Sequence, residues 1–79
     1  MHTPLRKLRE KQGITITELS RAVEIDVGNL SRIERGLQRA SIDRAEKIAE
    51  FFSNEINPME IIYPEKYQDR SEDNHDTPT

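Results

Sequence analysis

The 79-residue sequence contains no cysteine and no tryptophan. Without thiols it can build neither a disulfide framework nor a thiolate metal site. Its two histidines, His2 and His75, stand near the ends, where a zinc site or a histidine base would have little scaffold around it. No metal and no cofactor are therefore expected. Hydrophobic residues make up 33% of the chain and aromatics 5%, enough for one small core. No apolar run approaches the roughly 18 residues of a membrane span. The N-terminus lacks the charged-then-apolar pattern of a secretion signal. No titratable set converges as an active site requires, so an enzyme is not expected. A soluble, cytoplasmic binding module remains.

The net charge of −3 argues at first against a nucleic-acid partner, but its distribution argues the other way. Residues 1–44 hold nine Lys/Arg against six acids, a net of +3. Residues 45–63 and residues 64–79 each carry −3. A basic front and an acidic back point to an anionic partner on one side.

The helix signals are dense. Thr3-Pro4 is an N-cap followed by proline at the first helical position. Leu5 and Leu8 form the apolar stripe of this first helix, and Gly13 supplies a left-handed stop. Thr15 and Glu18 make a capping box for a second helix that ends near Val23 and turns Leu19, Ala22 and Val23 inward. Asp26 caps a third helix with Leu30 and Ile33 buried and Gly36 as its stop. Ser41 caps a fourth, Ile42 to Phe52, with Ala45, Ile48, Ala49 and Phe52 on one face. Asn57-Pro58-Met59-Glu60 starts a short fifth helix ending at Tyr63-Pro64. No segment alternates with period two, so the fold class is all-α. A helical domain over residues 1–64 and a flexible acidic tail over 65–79 follow from the composition.

The third helix carries the functional signal. With Leu30 and Ile33 inward, its opposite face holds Gly28, Ser31, Arg32 and Arg35, with Val27 at the leading edge. A short, polar, basic face of this kind fits a DNA major groove, which admits one helix. The preceding helix lies only a few residues away, as in a helix-turn-helix.

The stretch from Ile14 to Gly36, with Thr15-Ile16-Thr17-Glu18-Leu19-Ser20 and Leu30-Ser31-Arg32-Ile33-Glu34-Arg35-Gly36, resembles the helix-turn-helix of the Cro and C-repressor (XRE) family. The likeness continues through Ser41-Ile42 to Pro58 and Ile62, so it covers about residues 4–63. It implies a five-helix DNA-binding domain, usually a homodimer on a palindromic operator in double-stranded DNA. Carried over by position, Val27, Gly28 and Arg32 fall where relatives touch base edges. Thr15, Asn29, Ser31, Arg35, Gln38 and Arg39 fall near phosphates. Arg9 and Glu34 fall where the family has a structural salt bridge. Two positions depart from the pattern. Ile16 stands where glutamine is common and cannot reach a phosphate by hydrogen bonding. Glu24 stands where glycine is usual in the turn, at a cost of about 1–2 kcal/mol if its backbone is left-handed.

Phe51, Ile56, Met59, Ile61, Ile62 and Tyr63 look too numerous for the back of so small a core and are expected to supply a dimer surface. With no effector domain after the helix-turn-helix, operator occupancy makes repression the expected outcome, as in a phage repressor or a restriction–modification controller. The rival class is a protein-interaction module, such as an antitoxin with a second protein partner. Its tail would need apolar anchors, and residues 65–79 offer only Tyr67.

Overall fold

Each helix begins where a side chain can replace a missing backbone partner. The computed structural model describes residues 3–67. Within them lie α1 (Pro4–Lys11), α2 (Ile16–Val23), α3 (Val27–Glu34), α4 (Ile42–Phe51), α5 (Pro58–Ile62) and a 3-10 turn (Pro64–Lys66), with no strand among the described residues. Thr3, Thr15, Asp26, Ser41 and Asn57 cap the five helices with their side-chain oxygens. Thr15/Glu18 and Asn57/Glu60 complete reciprocal capping boxes. Residues 68–79, most of the expected acidic tail, and both histidines lie outside the described residues. After α5 the chain continues through the 3-10 turn to Tyr67, the last described residue.

The helix ends explain two glycines. Gly13 (φ 70°) and Gly36 (φ 76°) are left-handed. Each is followed by a residue whose N–H reaches back five positions: Ile14 to the Arg9 carbonyl and Leu37 to the Arg32 carbonyl. These bonds satisfy carbonyls that the helix leaves without partners. At the end of α2 the same conformation falls on Glu24 (φ 59°), the position at which the family resemblance leads one to expect glycine. The left-handed turn is therefore kept without the residue that favours it.

α4 packs on α2 and α5, and α1 packs on α5, around a core of Leu5, Leu19, Leu30, Ile33, Ile48 and Phe52. Ile56, Ile61 and Ile62 are buried in this same core, at 3%, 2% and 7% exposure. That corrects the expectation that they lie on a dimer surface. α5 folds back against α1 and α4 and absorbs the apolar surplus, leaving Phe51 and Met59 exposed and Tyr63 half-buried. Ala22, expected inward, is exposed, and Ser20 is buried in its place. The buried carbonyl of Ile25 needs a donor, which the Ser20 hydroxyl supplies.

One polar knot joins α1 to the end of α3. The Arg9 guanidinium donates through Nε to Glu34 Oε2 at 2.6 Å and through Nη2 to Oε1 at 3.0 Å. Its Nη1 donates to the Ile14 carbonyl at 2.8 Å. The Thr3 hydroxyl donates to the Glu34 carbonyl at 2.6 Å. The Arg9 and Glu34 side chains are only 13% and 3% exposed. The hydrogen bond to Glu34 raises the Arg9 pKa against the opposing pull of burial, so the guanidinium stays charged.

Three outcomes are expected. Glu34→Ala leaves Arg9 charged, half-enclosed and without its carboxylate, at a cost of about 3 kcal/mol. Replacing both partners by apolar residues, Arg9→Met with Glu34→Leu, costs less than that single change. Urea denaturation measures both, and a loss below about 0.5 kcal/mol for Glu34→Ala would place the pair with exposed ones. Glu24→Gly relieves about 1–2 kcal/mol of strain, offset in part by the greater freedom of glycine in the unfolded chain. The melting temperature should rise by a few degrees, and a fall would contradict the left-handed turn.

Candidate nucleic-acid interface

The turn between α2 and α3 is Glu24-Ile25-Asp26, and Ile25 is its buried anchor at 3% exposure. The Ile25 N–H donates to the Ser20 carbonyl at 3.2 Å, and the Ser20 hydroxyl returns a bond to the Ile25 carbonyl. This exchange fixes how α3 leaves α2. Asp26 then accepts the Asn29 N–H at 3.2 Å and starts α3. With Leu30 and Ile33 in the core, Val27 (41% exposed), Arg32 and Arg35 face solvent, while Gly28, Asn29 and Ser31 are half-buried.

Arg32 runs back along α3 toward its N-terminus, as long helical side chains do. Its Nη2 donates to Asn29 Oδ1 at 3.1 Å, and its Nε donates to Gln38 Oε1 at 3.1 Å. Its Nη1 lies beside Gly28, where a Cβ would stand 3.9 Å away. The same Cβ would meet Asp26 Oδ2 at 3.0 Å, tighter than most such contacts. Glycine at 28 thus leaves room for both the cap and the arginine. Arg35 lies on the flank, its Nε 3.4 Å from the Ser31 carbonyl.

The other expected contacts are placed differently. At Thr15 the capping box occupies the backbone N–H, which donates to Glu18 Oε1, and the hydroxyl oxygen, which accepts the Glu18 N–H. Only the hydroxyl proton remains for an external acceptor. Ile16 is half-buried and packs against the core, so its apolar side chain serves the fold.

Arg39 is engaged at the far side of its loop. Its Nη1 donates to the Ile62 carbonyl at 2.7 Å and to Glu65 Oε2 at 3.1 Å, and the guanidinium stacks 4.8 Å from the centre of the Tyr63 ring. The Glu65 carboxyl is held below the usual carboxylate range, first by its own backbone N–H and then by Arg39. Its contribution is made in the ionised form and fades as pH falls through the folded-state value.

Two residues of this surface carry no functional signal in the sequence. Leu37, 68% exposed, stands between Arg35 and Gln38. It lies outside any helical stripe, so periodicity gives no signal for it. The sequence around Asp26 marks it only as a cap, yet its carboxylate sits at the leading end of α3. Among the described residues no cluster of three or more His, Cys, Asp or Glu could hold a metal ion, and no helix is long and apolar enough to cross a membrane.

The sequence pattern of the helix-turn-helix family matches residues 5–57. The chain is also similar to a protein of Thermococcus kodakarensis that is provisionally named an HTH-type transcriptional regulatory protein. The two are 36% identical over 59 residues, which is 73% of this chain and 19% of that protein. The chain thus spans about a fifth of that relative's length. No solved structure matches the chain significantly.

The contacts of Arg39 lead to a contrast in stability. Arg39→Ala removes a charge-assisted, part-buried bond to the Ile62 carbonyl and the stacking on Tyr63, so it should cost about 1–2 kcal/mol. Glu65→Ala removes only an exposed partner and should lower the denaturation midpoint much less. Equal losses in both variants would mean that the ion pair, not the carbonyl bond, is what Arg39 contributes.

Proposed function

This chain belongs to the helix-turn-helix family, and from that premise we propose that it is a cytoplasmic DNA-binding transcriptional regulator that reads the major groove with α3. The observation that carries this reading is the placement of Arg32. It lies on the solvent face of α3, opposite buried Leu30 and Ile33, and is directed toward the helix N-terminus. A helix entering the groove N-terminus first brings that guanidinium to base edges, where a bidentate contact to guanine O6 and N7 is the commonest specific role of arginine.

The other residues divide by position. Val27, at the leading edge, offers apolar contact, most simply to a thymine methyl. Gly28 lets the helix backbone approach. Ser31 and Arg35 lie toward the flank and suit phosphates, as does the hydroxyl proton of Thr15. These give affinity and register, not sequence choice. Arg39 reaches a phosphate only by exchanging its Glu65 contact.

The regulator acts as a homodimer on a palindromic operator and represses by occupying it. Two copies of α3 then lie about 34–36 Å apart on one face of the duplex. Phe51 and Met59, exposed at the ends of α4 and α5, are the apolar residues available for the dimer contact. Sedimentation should show a dimer on DNA. A monomer both free and DNA-bound would contradict this.

Binding titrations of Arg32→Ala and Arg35→Ala, on selected operator and scrambled duplexes at several salt concentrations, test the reading. Arg32→Ala should cost about 1–3 kcal/mol on the operator and relax preference at one base position per half-site. Arg35→Ala should weaken all sequences alike and lower the salt slope by about one. If Arg32→Ala weakens operator and scrambled DNA equally, Arg32 is a phosphate ligand, and specificity comes from other contacts or from DNA shape.

A further inference from the structure

An arginine that reads a base must hold its guanidinium plane still, because five donors on a flexible stem otherwise sample many orientations. In this chain the two oxygens that hold Arg32 come from different elements. Asn29 lies one turn earlier on α3, and Gln38 lies in the link between α3 and α4. Both are half-buried, while Arg32 is exposed. Their acceptors are neutral amide oxygens, so they orient the guanidinium without neutralising it. A carboxylate at either place would pair with the charge that an anionic partner needs.

The choice of nitrogens matters as well. Gln38 takes Nε and Asn29 takes Nη2, the two nitrogens on the side edge of the guanidinium. Among the described residues Nη1 has no hydrogen-bond acceptor, and it lies over Gly28 at the leading part of α3. The side edge is therefore spoken for, and the end edge, with Nη1, is turned toward the helix N-terminus.

The link that carries Gln38 is itself fixed at both ends. The Leu37 N–H donates to the Arg32 carbonyl at 2.8 Å, and Arg39 is anchored on the Ile62 carbonyl. Gln38 stands between these two attachments. Its amide is thus delivered to Arg32 by the fold and is not a loose loop side chain.

We infer that Gln38 and Asn29 are positioning residues for Arg32, presenting its end edge to a guanine, and are not themselves phosphate ligands. The inference rests on α3 being the reading element. It replaces the phosphate roles that family position suggests for these two residues with an indirect role in sequence choice.

The test uses the full chain and duplexes selected by it from a random pool, together with variants changed at each base position. Arg32→Ala identifies the position it reads by a loss of roughly 10- to 100-fold in preference there. Gln38→Ala and Asn29→Ala should each lose about three- to tenfold of preference at that same position, with the salt slope unchanged. In the Arg32→Ala background neither should have any further effect. Gln38→Glu keeps an acceptor for Nε, so it should keep the preference while weakening binding to every sequence. Circular dichroism confirms that each variant retains its helicity, which these surface changes should not alter. The inference is overturned if Gln38→Ala weakens all duplexes alike and lowers the salt slope by about one, the mark of a phosphate ligand. It is equally overturned if the Gln38 and Arg32 effects simply add. If Arg32→Ala itself leaves every base preference intact, the reading of α3 fails, and this inference fails with it.

Discussion

Glu34 is the residue on which the arrangement of this domain depends. It is the last residue of α3, it is nearly inaccessible to water, and both its carboxylate oxygens and its carbonyl are taken by α1 and its cap. A helix laid on a core by two apolar side chains, Leu30 and Ile33, can still roll about its axis. The bidentate pair with Arg9 has a fixed planar geometry and resists that roll. Thr3 adds a second constraint, since its hydroxyl caps α1 and also satisfies a carbonyl at the end of α3. The third arginine nitrogen ties in the link between α1 and α2. Three segments are thus locked at one point at the inner end of α3, leaving the outer end free to meet a partner.

The surface that results reconciles a net-acidic chain with the anionic partner proposed for it. The acids of α4 and α5 lie away from α3 in sequence, and the face of α3 keeps Arg32 and Arg35 exposed. Among the local acids, two that begin helices run against this trend. Glu18 occupies the N-terminus of α2 as part of its capping box, and Asp26 starts α3. Each is needed to begin a helix. On the proposed reading the cost falls on phosphate affinity, which makes orientation of the few available arginines matter more than their number.

Much of the fold could be read from the sequence, because local chemistry sets it. The caps at Thr3, Thr15, Asp26, Ser41 and Asn57 and the stops at Gly13 and Gly36 are side-chain and backbone effects within a few residues. The family resemblance supplied the Arg9–Glu34 pairing, which no periodicity reveals. What was not legible depended on contacts distant in sequence. The burial of Ile56, Ile61 and Ile62 depends on α5 folding back, and a residue count cannot show that. Ser20 replaced Ala22 in the interior because of a carbonyl five residues on. The engagement of Arg39 with Ile62 and Glu65, and of Gln38 with Arg32, appears only once the link after α3 has a shape.

The central claim is that α3, held from behind by Glu34, is the element that enters DNA. Amide chemical-shift mapping of the full chain, titrated with a duplex it selects from a random pool, tests this most directly. The largest changes should fall on residues 27–39, with the Arg32 side-chain N–H groups among them and the amides of α1 and α5 little affected. Changes concentrated on α1 and α5, with residues 27–39 unmoved, would contradict it.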